Sequence, residues 1–100
     1  MTTTRAAVLN TAPGTLEFEQ LTIDEPTPDE VLVRILHAGL CHSDLHEIDG
    51  TFESTPPIVL GHEGAGVVEA VGSNVRGIAV GDHVVTCLSA FCGHCRYCTN

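Results

Sequence analysis

Three cysteines near the end of the chain recur at a fixed two-residue interval, a spacing that can hold a metal ion. Cys92, Cys95 and Cys98 form a C-x-x-C-x-x-C run. The two-residue spacer lets successive thiolates wrap onto one tetrahedral ion, so we predict metal binding here. A redox dithiol would not explain a third cysteine at the same interval. Zinc and an iron–sulfur cluster both remain open, since each normally takes four ligands and this run supplies three.

A second set of chemically active side chains lies in the middle of the chain. Cys41 and His62 offer a thiolate and an imidazole, and a catalytic zinc takes three protein ligands and leaves a fourth position open. Residues 41–46 and 61–63 add a hydroxyl, carboxylates and further imidazoles around this pair. By spacing alone the signal is weak, because a single cysteine or histidine is more often a core or surface residue than a ligand.

Strand patterns separated by turns must position both groups. Six stretches alternate or are rich in β-branched residues between Gly, Pro and Asn clusters, which indicates strands at 5–9, 16–23, 31–37, 58–60, 67–71 and 83–88. Between the third and fourth, Ser43 or Asp44 can cap a helix of one or two turns that ends at Asp49 and Gly50. Many short strands with regular turns predict a mainly β, barrel-like domain.

The composition describes a globular domain with a small aliphatic core and excludes several classes of partner. Hydrophobic residues make up 43% of the 100 residues and aromatic ones 4%. The net charge is −9, with no lysine and four arginines, so no basic patch can neutralise the phosphates of a nucleic acid. No run approaches the roughly 20 apolar residues of a membrane span, and residues 1–5 lead into a strand pattern rather than a signal peptide. We expect a cytoplasmic protein that binds neither nucleic acid nor membrane.

One glycine-rich stretch begins like the dinucleotide-binding fingerprint but does not complete it. Gly64 and Gly66 match its first two glycines, whereas Glu69 stands where the third belongs. The residues that follow have a strand pattern, and the fingerprint requires a helix there. No nucleotide-binding βαβ unit is expected within these residues.

Taken together, the motifs resemble those of the zinc-dependent medium-chain alcohol dehydrogenases. Four of them occur in that family's order and at close to its spacing, at residues 39–44, 60–68, 81–84 and 92–98. The resemblance implies that residues 1–100 are the N-terminal portion of a GroES-like catalytic domain, a mainly β barrel with short helices. It further implies that the chain stops inside a zinc-binding lobe at about residues 87–100. The family's Rossmann domain is not in this chain.

The resemblance also implies two zinc sites. Cys41 and His62 match the first two ligands of the family's catalytic zinc, and Glu63 matches a carboxylate that approaches the metal during ligand exchange. In the lobe, the first three thiolates of a structural zinc are matched by Cys92, Cys95 and Cys98. The third catalytic ligand and the fourth structural ligand are expected beyond Asn100.

Four neighbouring residues take roles from the same resemblance. Ser43 matches the hydroxyl that accepts the alcohol proton, and His46 matches a histidine that passes this proton to solvent by way of the cofactor ribose. Asp44 matches the carboxylate that holds the imidazole of His62, with an ordinary helix N-cap as the alternative. His42 stands where many members carry an arginine near the cofactor pyrophosphate.

The expected function is therefore that of an oxidoreductase that interconverts an alcohol and an aldehyde or ketone. Hydride passes to NAD or NADP, and relatives of this kind are dimers or tetramers, so a homo-oligomer is expected. These 100 residues alone are expected to be inactive. The main alternative is a non-catalytic zinc-binding or interaction module with a GroES-like barrel. An iron–sulfur electron carrier would explain only the cysteine run.

Overall fold

The chain folds into short strands and one small helix. A computed structural model describes residues 2–53, 55–88 and 95–96. Its elements, in chain order, are β1 (Thr2–Leu9), β2 (Leu16–Ile23), β3 (Val31–Ala38), α1 (His42–Ile48), β4 (Ile58–Val59), β5 (Gly64–Val71) and β6 (His83–Val85). The prediction of a mainly β domain with a short helix is confirmed. Among the described residues, no helix is both long and apolar enough to cross a membrane.

The first sheet is built around β1. This strand pairs antiparallel with β2 along its whole length and with β4 at its end, which gives the order β2-β1-β4. Val8 and Leu9 lie at that end, between two partners, and both are buried. Because β4 lies next to them, this packing holds the start of the segment that carries His62.

The second sheet has β5 at its centre, between β3 and β6. Val68, in the middle of β5, is buried, and so is Gly66, where an added Cβ would overlap the backbone of Arg34 on β3. Two register shifts along β3 interrupt the strict two-residue alternation that its sequence predicts. At one end of this sheet Ala38 pairs with Gly64, so the chain leaving β3 lies beside the chain entering β5.

The observed strands differ from the predicted ones mainly at their ends. β1 begins at Thr2 and not at residue 5, since β2 continues to Ile23 and pairs with the threonines. β5 begins at Gly64 and not at residue 67, because its glycine-rich start pairs with β3 and β6. The last predicted strand is too long, since β6 ends at Val85.

Candidate metal centre

Two connections that are distant in sequence meet at the end of the second sheet. Cys41 lies between β3 and α1, and His62 and Glu63 lie between β4 and β5. One ligand atom from each of these three side chains lies within 4.8 Å of the other two. The meeting is a direct consequence of the β3–β5 pairing, and Gly39 extends that pairing by donating its N–H to the Glu63 carbonyl at 2.9 Å.

The start of α1 fixes the backbone of Cys41. Cys41 is the N-cap, with extended dihedrals of φ −105° and ψ 149°, and its N–H donates to Asp44 Oδ2 at 3.2 Å. Asp44 in turn donates its N–H to the Cys41 carbonyl at 3.0 Å. The expectation that Ser43 or Asp44 is the N-cap is wrong, because both are already helical and the Asp44 carboxylate reaches back as the third helical residue does in a capping box.

His62 lies between two carboxylates. Its Nδ1 is 3.6 Å from Asp44 Oδ1, and its Nε2 is 3.7 Å from Glu63 Oε2. Both separations are longer than a hydrogen bond. Asp44 is 8% exposed, the buried acidic residue of the described part of the chain. The structure therefore places one buried carboxylate beside Nδ1 and leaves Nε2 on the side of Glu63.

Ser43 and His46 follow Cys41 on α1. The Ser43 hydroxyl donates to Cys41 Sγ at 3.2 Å, which places it directly beside a candidate ligand. His46 contacts the ring of Phe52, with 4.9 Å between ring centroids. Its Nδ1 is buried and has no hydrogen-bond partner among the residues that the structure describes. Because Ser43 and His46 are three residues apart on a helix, they lie on the same face.

One of the remaining predicted site residues lies next to this cluster, and the others belong to the cysteine run near the end of the chain. His42 is exposed at the first position of α1, where its ring meets that of His46 edge-on with 4.7 Å between centroids. Cys95 is exposed, and Cys92 and Cys98 lie outside the described residues. The predicted thiolate lobe therefore stays a prediction.

Two contributors were missed by the sequence analysis. Thr86, just after β6, accepts a hydrogen bond at its Oγ1 from the Gly64 N–H (3.0 Å) and donates from the same oxygen to the His62 carbonyl (2.9 Å). Gly39 lies so close to Glu63 that an added Cβ would meet the carboxylate. No sequence pattern could have shown either contact, since both depend on which strands become neighbours.

The donor set fits zinc. A thiolate, an imidazole nitrogen and a carboxylate oxygen are the three ligand types that zinc takes in proteins. Bonds of about 2.0–2.3 Å place neighbouring ligands of a tetrahedral zinc about 3.3–3.8 Å apart. The donors of Cys41, His62 and Glu63, within 4.8 Å of one another, need only a small side-chain movement to reach that arrangement.

Comparison with known proteins agrees with the fold. The alcohol dehydrogenase GroES-like domain model matches residues 27–100. The NDMA-dependent alcohol dehydrogenase of Amycolatopsis methanolica is 53% identical over 95 residues, which cover 95% of this chain and 26% of that protein. The crystal structure of benzyl alcohol dehydrogenase from Acinetobacter calcoaceticus superposes with a TM-score of 0.90 at 41% identity, covering 98% of this chain and 27% of that one.

A further structural relative was solved with a nucleotide. It is a protein from Sinorhizobium meliloti 1021 described as a zinc-binding dehydrogenase bound to NADP. It is 38% identical, has a TM-score of 0.84, and is matched over 98% of this chain and 28% of its own. The chain belongs to the alcohol dehydrogenase GroES-like domain family. It spans about a quarter of the length of these relatives.

Proposed function

We propose that these residues are the N-terminal portion of the catalytic domain of a zinc-dependent dehydrogenase, with a zinc-binding lobe at about residues 87–100. The enzyme interconverts an alcohol and an aldehyde or ketone, with NAD or NADP as the hydride carrier. The observation that carries the proposal is the convergence of the Cys41, His62 and Glu63 donor atoms within 4.8 Å. The names of the relatives, which are alcohol dehydrogenases, support the same reaction class.

In this proposal the metal is held by Cys41 Sγ and His62 Nε2, with a third ligand from outside these residues. The Glu63 carboxylate lies within 4.8 Å of both donor atoms, so it could replace another ligand of the metal during ligand exchange. When bound, zinc supplies a Lewis acid that favours loss of the hydroxyl proton from an alcohol near neutral pH. Cys41 Sγ also accepts a hydrogen bond from the Ser43 hydroxyl, so the serine lies beside one of the residues that would hold the metal.

Asp44 sets the orientation of His62. A neutral imidazole can ligate through Nε2 only if the proton is on Nδ1, and a carboxylate beside Nδ1 favours that tautomer. Asp44 Oδ1 is 3.6 Å from Nδ1. A small side-chain movement would let this oxygen accept a hydrogen bond from the Nδ1–H group. Its second oxygen is already held by the Cys41 N–H, so one buried carboxylate organises both ligands.

Ser43 and His46 remove the alcohol proton. Ser43, beside Cys41, would accept this proton, and His46, on the same face of α1, would pass it towards solvent. The proposal gives this imidazole a contact with a hydroxyl of the cofactor ribose; its Nδ1 is buried and has no partner among the described residues.

A nicotinamide cofactor supplies the hydride acceptor that the reaction requires. His42, exposed at the start of α1, is proposed to contact the pyrophosphate. An imidazole lacks the planar five-donor fork of arginine, so this contact is weaker than an arginine contact. The relative with bound NADP supports a cofactor of this class. We also propose a cytoplasmic homo-oligomer.

The proposal is tested on the full-length protein by mixing a panel of alcohols with NAD or NADP and following the absorbance of the reduced nicotinamide. We expect Cys41→Ser to abolish turnover while circular dichroism stays unchanged. The matched control is Cys87→Ser, which removes an exposed thiol to which no role is assigned and should leave turnover intact. Normal turnover in Cys41→Ser would overturn the assignment. A protein that binds zinc but oxidises no alcohol would instead be the non-catalytic zinc-binding module.

A further inference from the structure

The peptide that carries His62 is held from one side by a single hydroxyl. Thr86 Oγ1 donates to the His62 carbonyl at 2.9 Å and accepts from the Gly64 N–H at 3.0 Å. The Thr86 N–H also donates to the Gly64 carbonyl at 2.9 Å. One threonine therefore contacts both residues that flank Glu63.

This peptide lies outside the regular strands and directly follows a glycine. His62 follows Gly61, which has a φ of +119°, a region open to glycine and rarely to other residues. Residues 60–63 belong to neither β4 nor β5. The two charged neighbours of the imidazole, at 3.6 and 3.7 Å, are beyond hydrogen-bond distance. The hydrogen bond to the His62 carbonyl therefore contributes to the position of the ring beside these carboxylates.

We propose that Thr86 is a positioning residue for the metal centre. Its hydroxyl fixes the His62 peptide so that Nε2 points towards Cys41 and Glu63. This inference rests on the proposed function, since it assigns Thr86 to the same site. Thr86 itself does not touch the metal or the substrate, and it acts only through His62.

Two substitutions distinguish the effect of the Thr86 hydroxyl from that of its methyl group. Thr86→Val keeps the branched shape and the backbone hydrogen bond to Gly64 but removes both hydroxyl contacts. Thr86→Ser keeps the hydroxyl and removes the methyl group. A residue that supports a metal ligand through a hydrogen bond typically changes metal affinity about 10–100-fold when it is lost. We therefore expect the two variants to differ.

The experiment measures zinc release from the full-length protein to a chromogenic chelator, with Cys41→Ser identifying which zinc belongs to the candidate centre. Thr86→Val should release that zinc about tenfold faster than the parent, and Thr86→Ser should release it at close to the parent rate. The control is Thr22→Val, which removes an exposed strand hydroxyl on β2. With cobalt in place of zinc, Thr86→Val should also shift the ligand-field bands, which report ligand geometry directly.

Three results would overturn the inference. Thr86→Val could release zinc at the parent rate, Thr86→Ser could be as fast as Thr86→Val, or both zinc ions could be released faster together, as in general destabilisation. If the parent holds no zinc that depends on Cys41, the proposed function fails as well. A parent that holds this zinc while Thr86→Val behaves normally removes only the role of Thr86.

Discussion

Glu63 lies against a glycine at the end of a neighbouring strand, and this contact fixes where its carboxylate sits. Gly39 donates its N–H to the Glu63 carbonyl at 2.9 Å. A Cβ added to Gly39 would meet Glu63 Oε1 and would lie 3.1 Å from the Glu63 Cβ. The carboxylate therefore occupies space that is open only because residue 39 has no side chain.

Gly39→Ala should displace the Glu63 carboxylate without unfolding the domain. The closest clash is with the end of a flexible side chain, so we expect a loss of stability below about 1 kcal/mol. If Glu63 assists ligand exchange, its displacement should slow zinc release from the centre. Chelator kinetics on the full-length protein measure this rate.

The control for this prediction is the same change in a Glu63→Ala background. Without the carboxylate, Gly39→Ala should have little further effect, since the two changes act on one interaction. An unchanged or faster release in the single variant Gly39→Ala would contradict the role given to Glu63.

At the residue scale, the resemblance found the candidate ligands and Asp44, but not the backbone contacts made by Thr86 and Gly39. Cys41, His62 and Glu63 come from motifs, and the structure brings their donor atoms together. Thr86 is 24 residues from His62, and its contact exists only because β6 pairs with β5. The N-cap was predicted wrongly because serine and aspartate are the usual caps, whereas here Cys41 takes that position and Asp44 bonds back to it.

At the scale of elements, the β3–β5 pair is the part of the fold on which the site depends. It places Cys41 and His62 at one end of the sheet, and Gly66 allows the two backbones to approach in the middle. A Cβ on Gly66 would overlap the carbonyl of Arg34, which belongs to the backbone and cannot move aside cheaply.

Gly66→Ala should therefore destabilise the domain strongly. We expect a loss of about 1–3 kcal/mol, the range for overpacked interiors, and a lower melting temperature. Gly64→Ala is the matched control on the same strand, because an added Cβ there meets Ile35 Cδ1 at 3.4 Å, at the end of a side chain that can adjust. Equal melting temperatures of the two variants would contradict the claim that the close backbone approach at Gly66 leaves no room for a side chain.

The turn before β3 contributes a pH-dependent element of stability. Glu30 Oε1 accepts a hydrogen bond from the Thr27 N–H at 2.9 Å. This bond, together with the Thr27 side chain, lowers the pKa of Glu30 below its ordinary value. A carboxyl with a lowered folded-state pKa stabilises the fold fully above its unfolded-state pKa and loses that contribution as the pH falls through the folded-state value.

Glu30→Gln should consequently cost stability at pH 7 and little at pH 3. The expected effect is small, because the side chain is exposed. Thermal melting of parent and variant at both pH values measures the difference, with Glu17→Gln on β2 as a control for the loss of one negative charge. A difference between parent and Glu30→Gln that is the same at both pH values would contradict this account of the turn.

The elements themselves were largely predictable, and their ends were not. Alternation and turn residues located all six strands, and β2 is matched at both ends. The start of β5 was missed because glycine has low strand propensity, yet at Gly64–Val71 pairing on both sides outweighs that preference. Propensity is local, whereas the end of a strand is decided by its partner.

At the scale of the molecule, few side chains are fully buried and many large apolar ones are exposed. Among the described residues the buried hydrophobic core is Val8, Leu9 and Val68, while Leu40 is 87% and Phe18 74% exposed. Leu40 also lines a cavity of about 310 Å³ beside Cys41, together with His42, Leu45 and Ile48. Under the proposed function, the remainder of the enzyme covers these surfaces and closes the candidate centre.

The measurement that tests the central claim most directly is the zinc content of the full-length protein. Native mass spectrometry gives the intact mass and the number of zinc ions per chain, for the parent and for Cys41→Ser. We predict about two zinc ions in the parent and about one in the variant, because the thiolate lobe keeps its own ion. Equal zinc content in parent and variant would contradict the claim that Cys41 holds a metal, and with it the proposed dehydrogenase.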